Sequence, residues 1–298
     1  MRKSRIRAYP CRTGEKKARC NRAFLLCKGG KTMKKVFRAI AFAVLAGVFL
    51  ISSGRVLRQQ RNDRQAADSY REALELAASG SARPLPAPDP GAAVWVPAPV
   101  EADAHIQTLA AMDLGALQQR NGDVLGWILI PDTQVNYPFL QGEDNEFYLY
   151  HTWQKEENPA GSIFMECQNS PDMTDFNTIL YGHNMNSGAM FHTVREFTDQ
   201  RFWEAHPYIY LLTGQGVWRY EIFSCYKAPV DSFTYGLNIR QDKTKAYLIE
   251  NALRESRIET GVEPAVTDRI LTLSTCAGGG YTERWVVHAR LKMVEQTR

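Results

Sequence analysis

Cysteine pairs at C-x-x-C spacing are absent from this 298-residue chain. Its six cysteines (Cys11, Cys20, Cys27, Cys167, Cys225 and Cys276) stand far apart, which argues against a structural zinc site and against a disulfide framework. Acidic residues are almost missing from the first 38 positions, where Glu15 stands alone among 14 Lys/Arg. The other 260 residues carry 22 Lys/Arg against 31 Asp/Glu, so the basic balance belongs to the tail and the rest of the chain is acidic. No basic surface for nucleic acid is expected on such a domain. No internal repeat is visible, and no carboxylate cluster has metal-ligand spacing, so neither metal nor cofactor is expected.

Long apolar runs are lacking too, with one exception. "AIAFAVLAGVFLISS" (Ala39–Ser53) carries no charge and follows Lys34, Lys35 and Arg38; with Val36 and Phe37 it approaches the roughly 20 residues that span a bilayer. An uncleaved signal anchor over 33–54 is expected, with the bulk of the chain on the outer face of the membrane. Residues 1–32 form a basic tail, and "MKKVFRAIAFAVLAG" from Met33 has the form of a normal export start, so translation is expected to begin there. Glycine and proline are missing from 55–79, which favours a helix, whereas six prolines between Pro84 and Pro99 make an extended spacer to about residue 100. The remaining 101–298 is expected to be the main folded domain.

Within it, "IQTLAAMDLGALQQRN" (Ile106–Asn121) reads as one amphipathic helix. Short β-type runs then dominate: Trp127–Ile130, Gln134–Leu140, Ser162–Met165, Asn177–Tyr181, Tyr208–Leu212, Val217–Tyr226, Ile270–Ser274 and Arg284–Leu291. About eight short strands divided by turns predict a mainly β fold closed into a barrel. A late helix is expected over Asp242–Ser256, with Leu248, Ala252 and Leu253 sharing its buried face.

Cys167, where a strand runs out into a loop, and Cys225, within an alternating strand, read as inert small hydrophobes. Cys276 differs, because it follows the run "ILTLS" and precedes Gly278-Gly279-Gly280, which leave room for a peptide backbone to approach. A thiol nucleophile needs a proton-transfer partner and a stabiliser for the oxyanion it makes. Arg284 opens the next run, and a hairpin would return it to Cys276; Arg290 would lie about 20 Å further along at 3.3 Å per residue. Among the six histidines, His183 in "NTILYGHNMNSGAMF" has the best setting, where a strand ends and Gly182 turns the chain. His105, His206 and His288 are placed away from that end, while His151 and His192 stay open on chemistry alone.

Together "GWILIPDTQVNYPFLQGEDNEFYLYH", "AGSIFMECQNS", "NTILYGHNM" and "LTLSTC…ERWVVHARL" resemble class B sortases over roughly Asp123–Lys292. The resemblance implies an eight-stranded sortase-type β-barrel and a membrane-anchored cysteine transpeptidase on a Gram-positive surface. By the same resemblance, Cys276 matches the nucleophile, His183 the general acid/base and Arg284 the arginine that positions substrate and oxyanion. Asn145, Leu149, Tyr181, Ser274 and Thr275 match positions lining the peptide groove. The implied partners are exported proteins bearing a C-terminal NPxTx-like sorting motif and an amino group of a peptidoglycan precursor. The chain departs from the pattern after the nucleophile, where Ala277 and three glycines replace the acidic residue some members carry, so no catalytic Asp or Glu is assigned. A cell-wall cysteine hydrolase that merely cleaves sorting motifs would use the same residues; a non-catalytic anchored barrel would leave Cys276 dispensable.

Overall fold

The computed structural model describes residues 15–79, 103–277 and 282–295, with side chains from residue 35. Much of the basic tail, the proline-rich spacer and the glycines 278–280 therefore lie outside the described residues. The chain divides into two compact units, Met1–Gln60 and Arg61–Arg298. Helix α1 is assigned over Glu15–Ala78 and contributes to both.

In the first unit, Phe37, Ile40, Phe42, Leu45, Phe49 and Leu50 are all exposed. Large side chains left bare in this density mark a surface meant for something other than water. The helix from Lys35 holds an 18-residue window of mean hydropathy 2.1 with none of it buried, long and apolar enough to cross a bilayer.

In the second unit, Ala66, Tyr70, Ala73 and Ala77 form one buried stripe of α1. Alanine at three of those four places lets the helix approach closely, and Tyr70 Oη donates to the Gly161 carbonyl at 2.5 Å. Trp153 Nε1 donates to the Ser69 carbonyl at 3.0 Å. The expected helix over 106–121 is instead two, α2 (Ala104–Ala110) and α3 (Leu114–Arg120). Asp113 causes the break: its side chain accepts from Ala116 N and caps a new helix, as Asp103 caps α2.

The eight strands are β1 (Val124–Leu129), β2 (Asn136–Leu140), β3 (Ile163–Met165), β4 (Asn177–Tyr181), β5 (Tyr208–Thr213), β6 (Gly216–Pro229), β7 (Ile270–Cys276) and β8 (Glu283–Glu295). They close into a barrel in the order β1-β2-β3-β4-β7-β8-β6-β5. The β2–β3 and β4–β7 pairs are parallel and the rest antiparallel. Gly126 permits the β1–β5 contact, since a Cβ there would run into the Leu212 carbonyl and the Phe139 ring.

Short helix α4 (Gln200–Ala205) precedes β5, and α5 (Asp242–Glu255) lies between β6 and β7. On α5 the buried residues are Leu248, Ile249 and Ala252. Leu253, expected on that face, is 38% exposed. This helix covers part of the barrel's outside, forming a second cluster with Phe176, Tyr226, Ile270 and Val286. Along β7, Leu271 and Leu273 belong to the main core, while Ile270 and Thr272 face the outside under α5 and its neighbours. That alternation carries Ser274 and Cys276 onto the same outer face, where Ser274 is still buried and Cys276 is half-buried.

Candidate active site

Strand β7 delivers Cys276 as its last residue, half-buried, and β8 returns antiparallel so that Arg284 stands opposite it. Ala277 N donates to the Glu283 carbonyl at 3.3 Å, which makes Cys276–Arg284 a non-hydrogen-bonded pair. In such pairs the Cα atoms lie about 4.5 Å apart and the side chains share a face. Arg290, by contrast, pairs with Ile270 at the far end of β7, where Glu221 binds its guanidinium at 2.8 Å and 3.0 Å.

The imidazole comes from the other neighbour of β7. Strand β4 runs parallel to it with Tyr181 beside Ser274. The chain then turns at Gly182, whose N–H donates to the Ser274 carbonyl at 3.2 Å and whose carbonyl accepts from Thr275 Oγ1 at 2.7 Å. A Cβ on Gly182 would meet Ile163 at 2.5 Å and the Phe191 ring at 2.8 Å, so no larger residue fits without a shift. Asn184 Nδ2 donates to the Cys276 carbonyl at 2.9 Å. His183 thus sits between two residues that are both tied to the end of β7. Its Nε2 contacts the Leu149 carbonyl at 2.7 Å, and Tyr150 tilts toward its ring with centroids 6.5 Å apart. A carbonyl only accepts, so Nε2 carries a proton and Nδ1 is the nitrogen left to exchange one.

The other expected groove residues fall around this centre. Tyr181 Oη donates to Glu166 Oε2 at 3.0 Å, and Asn145 Nδ2 donates to the same oxygen at 2.8 Å. Leu149 ends a 3-10 turn, Phe147–Leu149, and offers His183 its carbonyl. Ser274 Oγ pairs with Tyr235 Oη at 3.1 Å. Thr275 differs: its side chain is buried on the Gly182 side, away from the Cys276 face.

Two residues were not picked out from the sequence. Tyr235, from the turn Phe233–Tyr235, reaches Ser274 and lies close enough to feel both Arg284 and Cys276. Burial pushes its hydroxyl up to about 12, with Ser274 and Arg284 pulling the other way. Glu166, the residue after β3, is only 4% exposed; a carboxylate closing the apolar run "SIFM" was the available signal, because buried charge needs partners. The remaining downstream thiols are set apart from Cys276. Burial pushes Cys225 up to about 12. Burial and then the Glu166 carboxylate hold Cys167 above the usual thiol range.

A thiol, a guanidinium and an imidazole stand at the ends of three adjacent strands, a set of groups suited to acyl transfer through a thioester. The sortase domain family matches residues 128–292. A sortase B of Listeria monocytogenes is 37% identical over 164 residues, covering 55% of this chain and 67% of that protein. A Staphylococcus aureus sortase B–substrate complex superposes with a TM-score of 0.58 at 33% identity, covering 64% of this chain and 87% of that one. A structure of sortase B complexed with triglycine gives the same TM-score of 0.58 at 34% identity, covering 61% of this chain and 86% of that one. The chain belongs to the sortase family, in its class B, and is a transpeptidase of that class. Membership sets aside the reading of a non-catalytic anchored barrel.

Proposed function

We propose that Cys276, His183 and Arg284 are the nucleophile, the general acid/base and the oxyanion-stabilising arginine of this transpeptidase. The observation that carries the reading is the close Cys276–Arg284 pair, with the His183 turn tied to the same strand end by Gly182, Thr275 and Asn184. The Cys276 thiolate attacks the carbonyl of the threonine in an NPxTx-like sorting motif near the C-terminus of an exported protein. Arg284 balances the charge on the tetrahedral oxygen while His183 gives a proton from Nδ1 to the departing amine. An amino group of a peptidoglycan precursor then attacks the thioester, His183 takes up its proton, and the thiolate leaves. The substrate and triglycine complexes of related sortase B proteins support these two substrate classes. The groove is lined by Asn145, Leu149, Tyr181 and Ser274, with Thr275 contributing through its backbone. The apolar helix from Lys35 anchors the protein on a Gram-positive cell, catalytic domain outward.

The test uses the full chain in detergent with a set of sorting-type pentapeptides, with and without triglycine, read by mass spectrometry. A cut after threonine and a ligated product when triglycine is present are expected. Cleavage with no ligation across amine acceptors would leave a peptidase in its place.

Arg284→Ala is expected to lower kcat by about 10²–10³-fold, the scale for removing an oxyanion donor, with a smaller change in KM. Lysine restores the charge without the fork of donors and should recover only part of the loss. Steady-state cleavage of the preferred peptide measures both; an unchanged kcat would remove Arg284 from the transition state.

A further inference from the structure

We propose that Glu166 is a positioning residue that fixes the geometry and the hydrogen-bonding polarity of the peptide groove. The carboxylate is buried, and among the described residues its hydrogen-bond partners are all neutral donors. Oε2 accepts from Asn145 Nδ2 at 2.8 Å and from Tyr181 Oη at 3.0 Å, and Oε1 accepts from Gln168 N at 3.2 Å and Cys167 Sγ at 3.4 Å. One oxygen therefore joins two groove residues that come from separate elements, the loop before the 147–149 turn and the end of β4.

Those two residues bracket His183. Asn145 opens the segment whose Leu149 carbonyl holds the imidazole, and Tyr181 lies two positions before His183 on the same strand end. The Asn145 amide is held at both ends, because its Oδ1 accepts from Cys167 N at 2.9 Å while its Nδ2 is on the carboxylate. Its orientation is thereby assigned by the network. At Tyr181 the single hydroxyl proton is committed to Glu166, and burial followed by the carboxylate's charge raises the phenol's pKa and keeps that proton on. The lone pairs of Tyr181 Oη are what remains for a ligand. The groove at this point accepts hydrogen bonds and favours a peptide group that donates an N–H.

The inference rests on Asn145 and Tyr181 lining the groove, so its test begins from a full chain already shown to cleave a peptide in a Cys276-dependent way; absence of that activity would count against the function, not against Glu166. The probe is the pentapeptide found to be cleaved, with Glu166→Gln, Tyr181→Phe and the double variant. Glu166→Gln keeps the shape but replaces one acceptor by a donor, and should raise KM about tenfold, the scale of a lost charge-assisted hydrogen bond, with kcat changed less. Alkylation of Cys276 by iodoacetamide should keep its rate, because the thiol is not touched. The double variant should be little worse than Glu166→Gln alone, since both remove the same contact. A wild-type KM in Glu166→Gln alongside a lowered unfolding midpoint would overturn the proposal and leave a purely structural carboxylate. Additive effects of the two substitutions would overturn it as well.

Discussion

Cys276→Ala is expected to abolish peptide cleavage and amine ligation together, a fall of about 10⁴-fold or more, while thermal unfolding should stay within about 0.5 kcal/mol of the parent protein. The size follows from the proposed role of the Cys276 thiol as the atom that carries the acyl group. The small change in stability follows from place, since Cys276 is half-buried at the last position of β7. Cys167→Ala should keep activity within about threefold, as expected for a side chain whose hydrogen bond among the described residues goes to Glu166. Cys225→Ala should cost about 1 kcal/mol of stability and leave the chemistry in place, because that thiol is fully buried near the Val194 carbonyl. Initial rates by chromatography, with unfolding followed by circular dichroism, separate the three. Residual ligation in Cys276→Ala would move the nucleophile elsewhere.

The largest effect on stability is expected from acid, through His288. This ring is wholly buried between β7 and α5-covered β6, stacked near Phe223 and Tyr226, and burial holds its pKa down at about 3. Its bonds suit the neutral form. Thr272 Oγ1 spends its proton on Asn177 Oδ1 at 2.7 Å, so it accepts from His288 Nδ1 at 2.9 Å. That leaves Nε2 to accept from Tyr226 Oη at 3.2 Å, and Tyr226 Oη to accept from Thr234 Oγ1 at 2.7 Å.

The unfolded ring binds its proton near pH 6.5 and the folded ring near 3, so the unfolded state holds more protons across that window. Stability is therefore full above pH 6.5 and falls as the pH drops, by about 1.4 kcal/mol per unit. Asp103 and Asp123 lose their own contributions only below about pH 4; in both, a burial penalty is outweighed by hydrogen bonds, from Tyr210 and from Tyr148. Urea unfolding between about pH 7 and 4.5 should thus lose about 3 kcal/mol in the parent. His288→Gln should start lower and lack this slope. An equal slope in both proteins would contradict the assignment. The network also reaches the site, because Asn177 Nδ2 donates to the carbonyls of Thr234 and Gly236 on either side of Tyr235.

Local pattern made the strands legible. The run Asn177–Tyr181 has the same limits in the sequence and in the structure, since its ends are marked by a turn and Gly182. Strands β6 and β8 run longer than their apolar alternation, to Pro229 and Glu295, because they pair with each other over most of their length. The order of strands was not legible: β7 lies between β4 and β8, and nothing local in "ILTLS" says that a parallel neighbour comes from about ninety residues earlier. The helix split at Asp113 was missed because an apolar stripe continues across it, while a capping carboxylate is a stronger local signal than the stripe. In the site, the Cys276–Arg284 pairing was readable as a hairpin. Tyr235 was not, because its partner Ser274 comes from a distant segment, and for Glu166 the one local signal, a carboxylate closing an apolar run, does not name its partners.

The most direct measurement is intact-mass spectrometry and peptide mapping of the full chain, acid-quenched while it turns over a sorting peptide. An adduct of the peptide's N-terminal portion through its threonine, carried on Cys276 and vanishing when triglycine is added, is the expected result. An enzyme that turns over with no adduct, or with one on Cys167, would contradict thioester transfer through Cys276.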